Sequence, residues 1–244
     1  MNRLQGKTAL ITGGGSGIGL GVAKLFLEEG ASVAITGRDA AKLERAAGQL
    51  KGGDRLIHHA ADVTDLKAVQ ALVQKVRDRF GRIDILVNNA GANIKDRAFK
   101  ELTAESWQLL RGANLDGAFF CIQAVLPEMR KRKDGVIVNV NSVAGLRAGP
   151  LGGAAYAAAK FGLRGLAICL AEEEKANGIR VSTVYPGEVD TPILEHRPQP
   201  ITEDHRQRIL QPEDVAQAVL FVATLPPRVS VPELVIKPTS QTYI

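Results

Sequence analysis

The chain has 244 residues, 45% of them hydrophobic and 23% charged, with 25 glycines and a net charge of +5. This balance excludes a disordered chain, and no run approaches the about 18 uninterrupted apolar residues of a membrane span. A basic surface raises nucleic acid as a partner, but the longest basic run, Arg130 to Lys133, is closed by Asp134 and carries no interleaved aromatics, as at a solvated helix end.

Strand and helix signals alternate along the whole chain. Lys7 to Ile11 reads as a short buried strand, followed by glycines and an amphipathic helix from Ile18 to Glu29. Ser32 to Thr36 is a second strand, and Asp39 is placed to cap a helix reaching about Leu50. Leu56 to Ala61 is a strand and Asp65 to Phe80 a helix, with Leu66, Val69, Leu72, Val73 and Val76 at helical spacing. Ile83 to Val87 is the fourth strand. One long helix is expected from about Ala104 to Met129, then a strand at Val136 to Val140. Ala154 to Lys175 is a helix ended by Asn177-Gly178, and Val181 to Val184 a strand stopped by Pro186-Gly187. Thr191 to Gln211 lacks periodicity, Pro212 to Leu225 opens as a helix on its proline, and Leu234 to Ile236 is a last strand. Alternation of this kind implies one α/β domain over 1–244, a doubly wound parallel sheet with helices on both faces.

The polar N-terminus, Met1 to Gly6, leaves no room for a signal peptide. Cys121 and Cys169 lie in apolar helical stretches and read as small core or interface residues, with no disulfide framework and no metal site. The expected setting is soluble and reducing, the cytoplasm.

The first strand runs into Thr12-Gly13-Gly14-Gly15-Ser16-Gly17-Ile18-Gly19 and then a helix. A glycine turn lets the backbone approach a pyrophosphate, and the helix N-terminus supplies free N–H donors. The strict G-x-G-x-x-G spacing is absent, because Leu20 stands where the third glycine belongs. At the end of the second strand an NAD site calls for a carboxylate on the ribose; here Gly37 is followed by Arg38, whose guanidinium suits the 2′-phosphate of NADP. NADP is therefore favoured over NAD.

Tyr156-Ala157-Ala158-Ala159-Lys160 sets a phenol and an ammonium one turn apart on a helix face. A nearby cation favours the phenolate and brings its pKa toward working range. Ser142, after an apolar strand, is placed to hydrogen-bond a carbonyl that the tyrosine protonates.

With these elements together the chain resembles the short-chain dehydrogenase/reductase family over nearly its whole length. The resemblance rests on Thr12 to Gly19, Asp62-Val63, Asn88-Asn89-Ala90-Gly91, Asn114, Ser142, Tyr156 with Lys160, and Pro186-Gly187 followed by Val189 and Thr191. It implies a seven-stranded Rossmann fold holding NADP(H). Gly13, Ser16, Gly17, Ile18 and Gly19 would cradle the phosphates, Asp62 and Val63 contact adenine, Asn89, Ala90 and Gly91 line the cleft, and Thr191 hold the carboxamide. Tyr156 would be the general acid or base, Ser142 would orient the carbonyl, Lys160 would hold the ribose and lower the tyrosine pKa, and Asn114 would position a water. The tail, with Gln211-Pro212-Glu213-Asp214-Val215 and Pro232 to Gln241, looks most like the NADP-dependent 3-hydroxy acid and serine dehydrogenase branch.

The segment at about 190–211 is expected to act as a substrate lid, and its His196, Arg197, His205, Arg206 and Arg208, with Arg147, offer cations to a substrate carboxylate. By resemblance, the helices at 104–129 and 154–175 imply a homotetramer or homodimer. The rival class is a non-catalytic NADP-binding sensor on the same fold.

Overall fold

Lys7 ends the polar start of the chain, and β1 (Thr8–Thr12) that follows is buried along all five residues. In the computed structural model, which describes residues 2–242, its side chains alternate between two cores: Ala9 and Ile11 face one, Leu10 the other. Strands covered on both faces need this unbroken apolar run, which is why the sequence reads as continuous there.

The remaining elements are α1 (Gly17–Glu28), β2 (Ser32–Gly37), α2 (Ala40–Leu50), β3 (Leu56–Ala60), α3 (Leu66–Phe80), β4 (Ile85–Asn88), α4 (Ala104–Arg111), α5 (Gly117–Arg132), β5 (Gly135–Val140), α6 (Ala154–Glu174), β6 (Ile179–Pro186), α7 (Glu203–Arg208), α8 (Pro212–Ala223) and β7 (Glu233–Ile236). All seven strands are parallel, in the order β3-β2-β1-β4-β5-β6-β7. The order reverses between β1 and β4, which opens a crevice at the carboxyl ends of the strands. Phe26, Leu27, Val215 and Val219 of α1 and α8 cover one face of the sheet; Leu72, Val76, Ile122, Met129 and Leu170 of α3, α5 and α6 cover the other.

Local chemistry sets the helix ends. Asp39 accepts the backbone N–H of Lys42 at 2.9 Å, and Asp65 accepts those of Lys67 and Ala68, so two helices start on carboxylates. Glu174, near the end of α6, is buried and held by the Arg130 guanidinium and by Asn177 Nδ2 (2.9 Å). Arg130 thus serves a buried carboxylate and is not merely a solvated cation at a helix end.

Three expectations need correction. The single helix at 104–129 is two helices joined by a π-helical turn, Gly112–Asp116, and it extends to Arg132. The strand expected at Val181–Val184 is longer, because Ile179 and Pro186 also pair in the sheet. The segment 191–211 is not wholly irregular: it holds a 3₁₀ turn, Pro192–His196, and α7, capped by Thr202. Both cysteines are free, Cys121 buried and Cys169 exposed. The stretches Ala104–Arg132 and Ala154–Asn177 are long and apolar enough to cross a bilayer. One face of each packs the second core through residues such as Ile122, Met129 and Leu170, while Trp107, Phe119, Phe161 and Ile168 stay exposed.

Candidate active site

The segments that leave the carboxyl ends of β1, β2, β3 and β4 line one cleft. β1 delivers the chain into the turn at Gly13, whose φ of 65° suits glycine. A Cβ on Gly19 would stand 2.4 Å from the Gly13 carbonyl oxygen, so only glycine lets α1 start this close to the turn. Asn89 Nδ2 donates to the carbonyls of Thr12 (2.9 Å) and Gly13 (3.3 Å), while Thr12 Oγ1 accepts the backbone N–H groups of Asn89 and Ala90. Asn89 therefore braces the turn, and Asn88 is buried in the sheet, donating to Asn139 at 3.0 Å. Ile18 packs against the first core.

A cleft of about 620 Å³ opens over this turn, lined among others by Gly13, Gly15, Ser16, Gly37, Arg38, Asp62, Val63, Ala90 and Gly91. Free backbone donors at the start of α1, an apolar wall at Val63 and a cation at Arg38 fit a dinucleotide with a phosphorylated ribose. Asp62 is turned back on Thr64, accepting its N–H at 2.9 Å and its hydroxyl at 2.8 Å. Lys42 and Glu105 also line the cleft and were not anticipated. Lys42 follows Arg38 by four residues, and its backbone N–H is the one that Asp39 caps.

The other site residues gather beyond the cleft. Ser142 follows β5, and its Oγ accepts the N–H of Ala144 at 3.1 Å. Tyr156 and Lys160 share a face of α6, with Lys160 Nζ 5.5 Å from the tyrosine ring centre and donating to the Val140 carbonyl at 3.3 Å. Asn114 sits in the π turn, where Nδ2 donates to the carbonyls of Ala92 and Leu110, both at 2.8 Å. Thr191 faces the glycine turn: a Cβ on Gly17 would lie 3.0 Å from Thr191 Cγ2. Pro186 ends β6, Gly187 N–H continues its pairing to Ile236 at 2.7 Å, and Val189 bridges to Leu210.

Electrostatics here differ from the expectation in one respect. Burial raises the Tyr156 phenol above its ordinary value, against a hydrogen bond from Ser142 and the positive charge of Arg97, which both lower it. Burial also lowers Lys160 to about 8. Arg97, a residue the sequence did not single out, thus acts on the tyrosine beside Lys160.

The short chain dehydrogenase family pattern matches residues 7–201. The chain belongs to the short-chain dehydrogenase family. It is 39% identical to a 3-oxoacyl-[acyl-carrier-protein] reductase of Thermotoga maritima over 230 residues, covering 91% of this chain and 92% of the relative. Among solved structures it is similar to serine dehydrogenase complexed with NADP+ (TM-score 0.88, 30% identity, 97% of this chain and 96% of the other). It is equally similar to the 3-ketoacyl-(acyl-carrier-protein) reductase of Brucella melitensis complexed with NADH (TM-score 0.88, 33% identity, 96% and 98%). The family is shared by all three, and the branch is not separated by them.

The cations of this short-chain dehydrogenase's 190–211 segment are committed to neighbouring acids. Arg197 and His205 both face Glu188, Arg206 pairs with Asp190 and Arg208 with Asp204. Arg147 is exposed. An unneutralised cationic lid is therefore not what the sequence builds, because Asp190 and Asp204 within the segment and Glu188 just before it take up its arginines.

Proposed function

We propose that this protein is an NADP-dependent oxidoreductase that interconverts a small alcohol and its carbonyl compound, with a 3-hydroxy acid and its 3-oxo partner as the substrate class. The observation that carries the reading is the gathering of Ser142, Tyr156, Lys160 and Asn114 beside a glycine-walled cleft at the carboxyl edge of the sheet. Arg38 at the cleft edge supports NADP over NAD, since the neighbouring Asp39 carboxylate is engaged in capping α2.

When bound, the nicotinamide supplies or takes up the hydride. Tyr156 gives its hydroxyl proton to the carbonyl oxygen in reduction and takes it back in oxidation. The Ser142 hydroxyl orients that oxygen and stabilises the phenolate by donating to it. Lys160 holds the ribose and, charged below pH about 8, adds its field to that of Arg97 at the phenolate. Asn114 fixes the Ala92 backbone beside Lys160 and positions the water through which the lysine exchanges protons. Residues 190–211 close over the substrate, tied at Arg197 and His205 to Glu188, which follows β6.

Exposed Trp107, Phe119, Phe161 and Ile168 on α4, α5 and α6 support a homodimer or homotetramer. Two unpaired cysteines suit a reducing cytoplasm. Retention of all four catalytic groups argues against the sensor reading.

The test is to follow NADPH and NADH oxidation against a panel holding a 3-oxo acid, a 3-oxoacyl thioester, a simple ketone and an aldehyde. Faster turnover with NADPH and a 3-oxo acid is expected. Tight NADPH binding with no turnover of any carbonyl would leave the sensor reading in place.

A further inference from the structure

Arg97 is 6% exposed, and no carboxylate lies within ion-pair distance of it among the described residues. Burying a cation without an acid partner is costly, so such a group calls for an explanation. Two carbonyls meet part of its demand: Nη1 donates to Leu151 at 2.9 Å and Nη2 to His196. Nε is buried and has no acceptor. The side chain lies against Gly153, the residue that starts α6; a Cβ there would be 2.8 Å from Arg97 Cβ. Tyr156 is one turn further along that helix.

The surroundings sharpen the point. Lys160, the other buried cation here, also has only a carbonyl as partner. The nearby acids are already used, Glu188 by Arg197 and His205, Asp190 by Arg206. The region around Tyr156 therefore holds positive charge that the protein itself does not balance. The loops carrying Leu151 and His196 aim the guanidinium and leave its Nε–H as the donor still to be used.

We propose that Arg97 anchors an anionic group of the substrate, a carboxylate, beside Tyr156. This rests on the carbonyl-reducing role argued above and assigns the residue that recognises the acid of its substrate. Nε is enclosed in this structure, so the carboxylate would accept from its N–H once the loop carrying His196 opens, and would place the reacting carbonyl toward Ser142 and Tyr156. It would also supply the missing counter-charge. Because Nη2 holds the His196 carbonyl, the same residue links the anion to the 190–211 segment.

The test compares 3-oxobutanoate with its methyl ester, using the intact protein, Arg97→Met and Arg97→Lys with NADPH. The protein as isolated should favour the acid. Arg97→Met should raise KM for the acid by about 30-fold, the size of one charge-assisted hydrogen bond, and leave the ester within about threefold. Arg97→Lys should recover part of the loss, for the acid alone. Equal losses on both compounds would reduce Arg97 to a clasp between loops, and equal use of acid and ester by the unaltered protein would also overturn the proposal. If neither compound is turned over with either nicotinamide, the 3-oxo acid reading of the proposed function is what fails. Calorimetry with 3-oxobutanoate then decides the anchor: saturable binding to the unaltered protein but not to Arg97→Met sustains it, and no binding overturns it.

Discussion

A Cβ built on Gly91 would lie 2.8 Å from Oδ1 of Asn114, the oxygen that accepts the Ala92 N–H at 3.3 Å. The same Cβ would be 3.8 Å from Lys160 Nζ. Gly91 is thus the point where the cofactor cleft, the π turn and the buried lysine meet. Gly91→Ala should force Asn114 aside at a cost of about 1–3 kcal/mol, the usual range for overpacking. Urea unfolding should read that loss, and NADPH affinity should fall with it. An alanine variant of unchanged stability and affinity would show that the contact yields freely.

Tyr156→Phe removes the hydroxyl proposed to move a proton at the carbonyl while keeping the ring beside Lys160. Turnover should fall by at least about a thousandfold, toward the upper range for general acid–base groups. The Kd for NADPH, read by fluorescence, should stay within about threefold. Comparable activity in the variant would remove the tyrosine from the mechanism.

Arg38→Asp exchanges a phosphate-binding cation for a carboxylate that accepts from ribose hydroxyls. The kcat/KM for NADPH should drop by about a hundredfold and that for NADH should rise. Unchanged preference would transfer the role to Lys42, the other cation on that wall.

Lys160 titrates at about 8 in the fold, against 10.5 when unfolded. The unfolded chain therefore binds more protons between those two values, and stability from this group rises with pH across that window. Below pH about 8 the buried charge is destabilising. In cofactor-free protein, Lys160→Met should be more stable than the unaltered chain at pH 7 by up to about 3 kcal/mol. The advantage should shrink toward pH 10.5, and thermal unfolding at several pH values checks it. A constant difference would mean the lysine is not desolvated as described.

Strong local signals made much of this legible. Buried strands announce themselves as apolar runs, and Asp39 and Asp65 mark helix starts because capping is a contact between near neighbours. The Tyr156–Lys160 pair was visible for the same reason, since both lie on one helix turn. What was missed depends on distant segments. Arg97 is a bare cation in a loop until Leu151 and His196 close around it. Glu188 neutralises Arg197 and His205 only after the chain has folded back on itself. The break at Gly112 was hidden because a π turn keeps helical periodicity nearly intact on both sides.

That turn also fixes which side α5 presents to the sheet. Five residues, Gly112–Asp116, wind more widely than an ordinary helix, and Asn114 Nδ2 donates to the Leu110 carbonyl. The wide turn takes up one residue more than an α-turn would hold. Were the same residues wound as ordinary α-helix, all of α5 would be rotated by about 100° about its axis. Ile122, Val125 and Met129 would swing off the sheet, and charged residues such as Glu128 would swing toward it. The winding of a short junction therefore sets the orientation of a sixteen-residue helix, and a chain lacking one junction residue reaches the same orientation through ordinary winding.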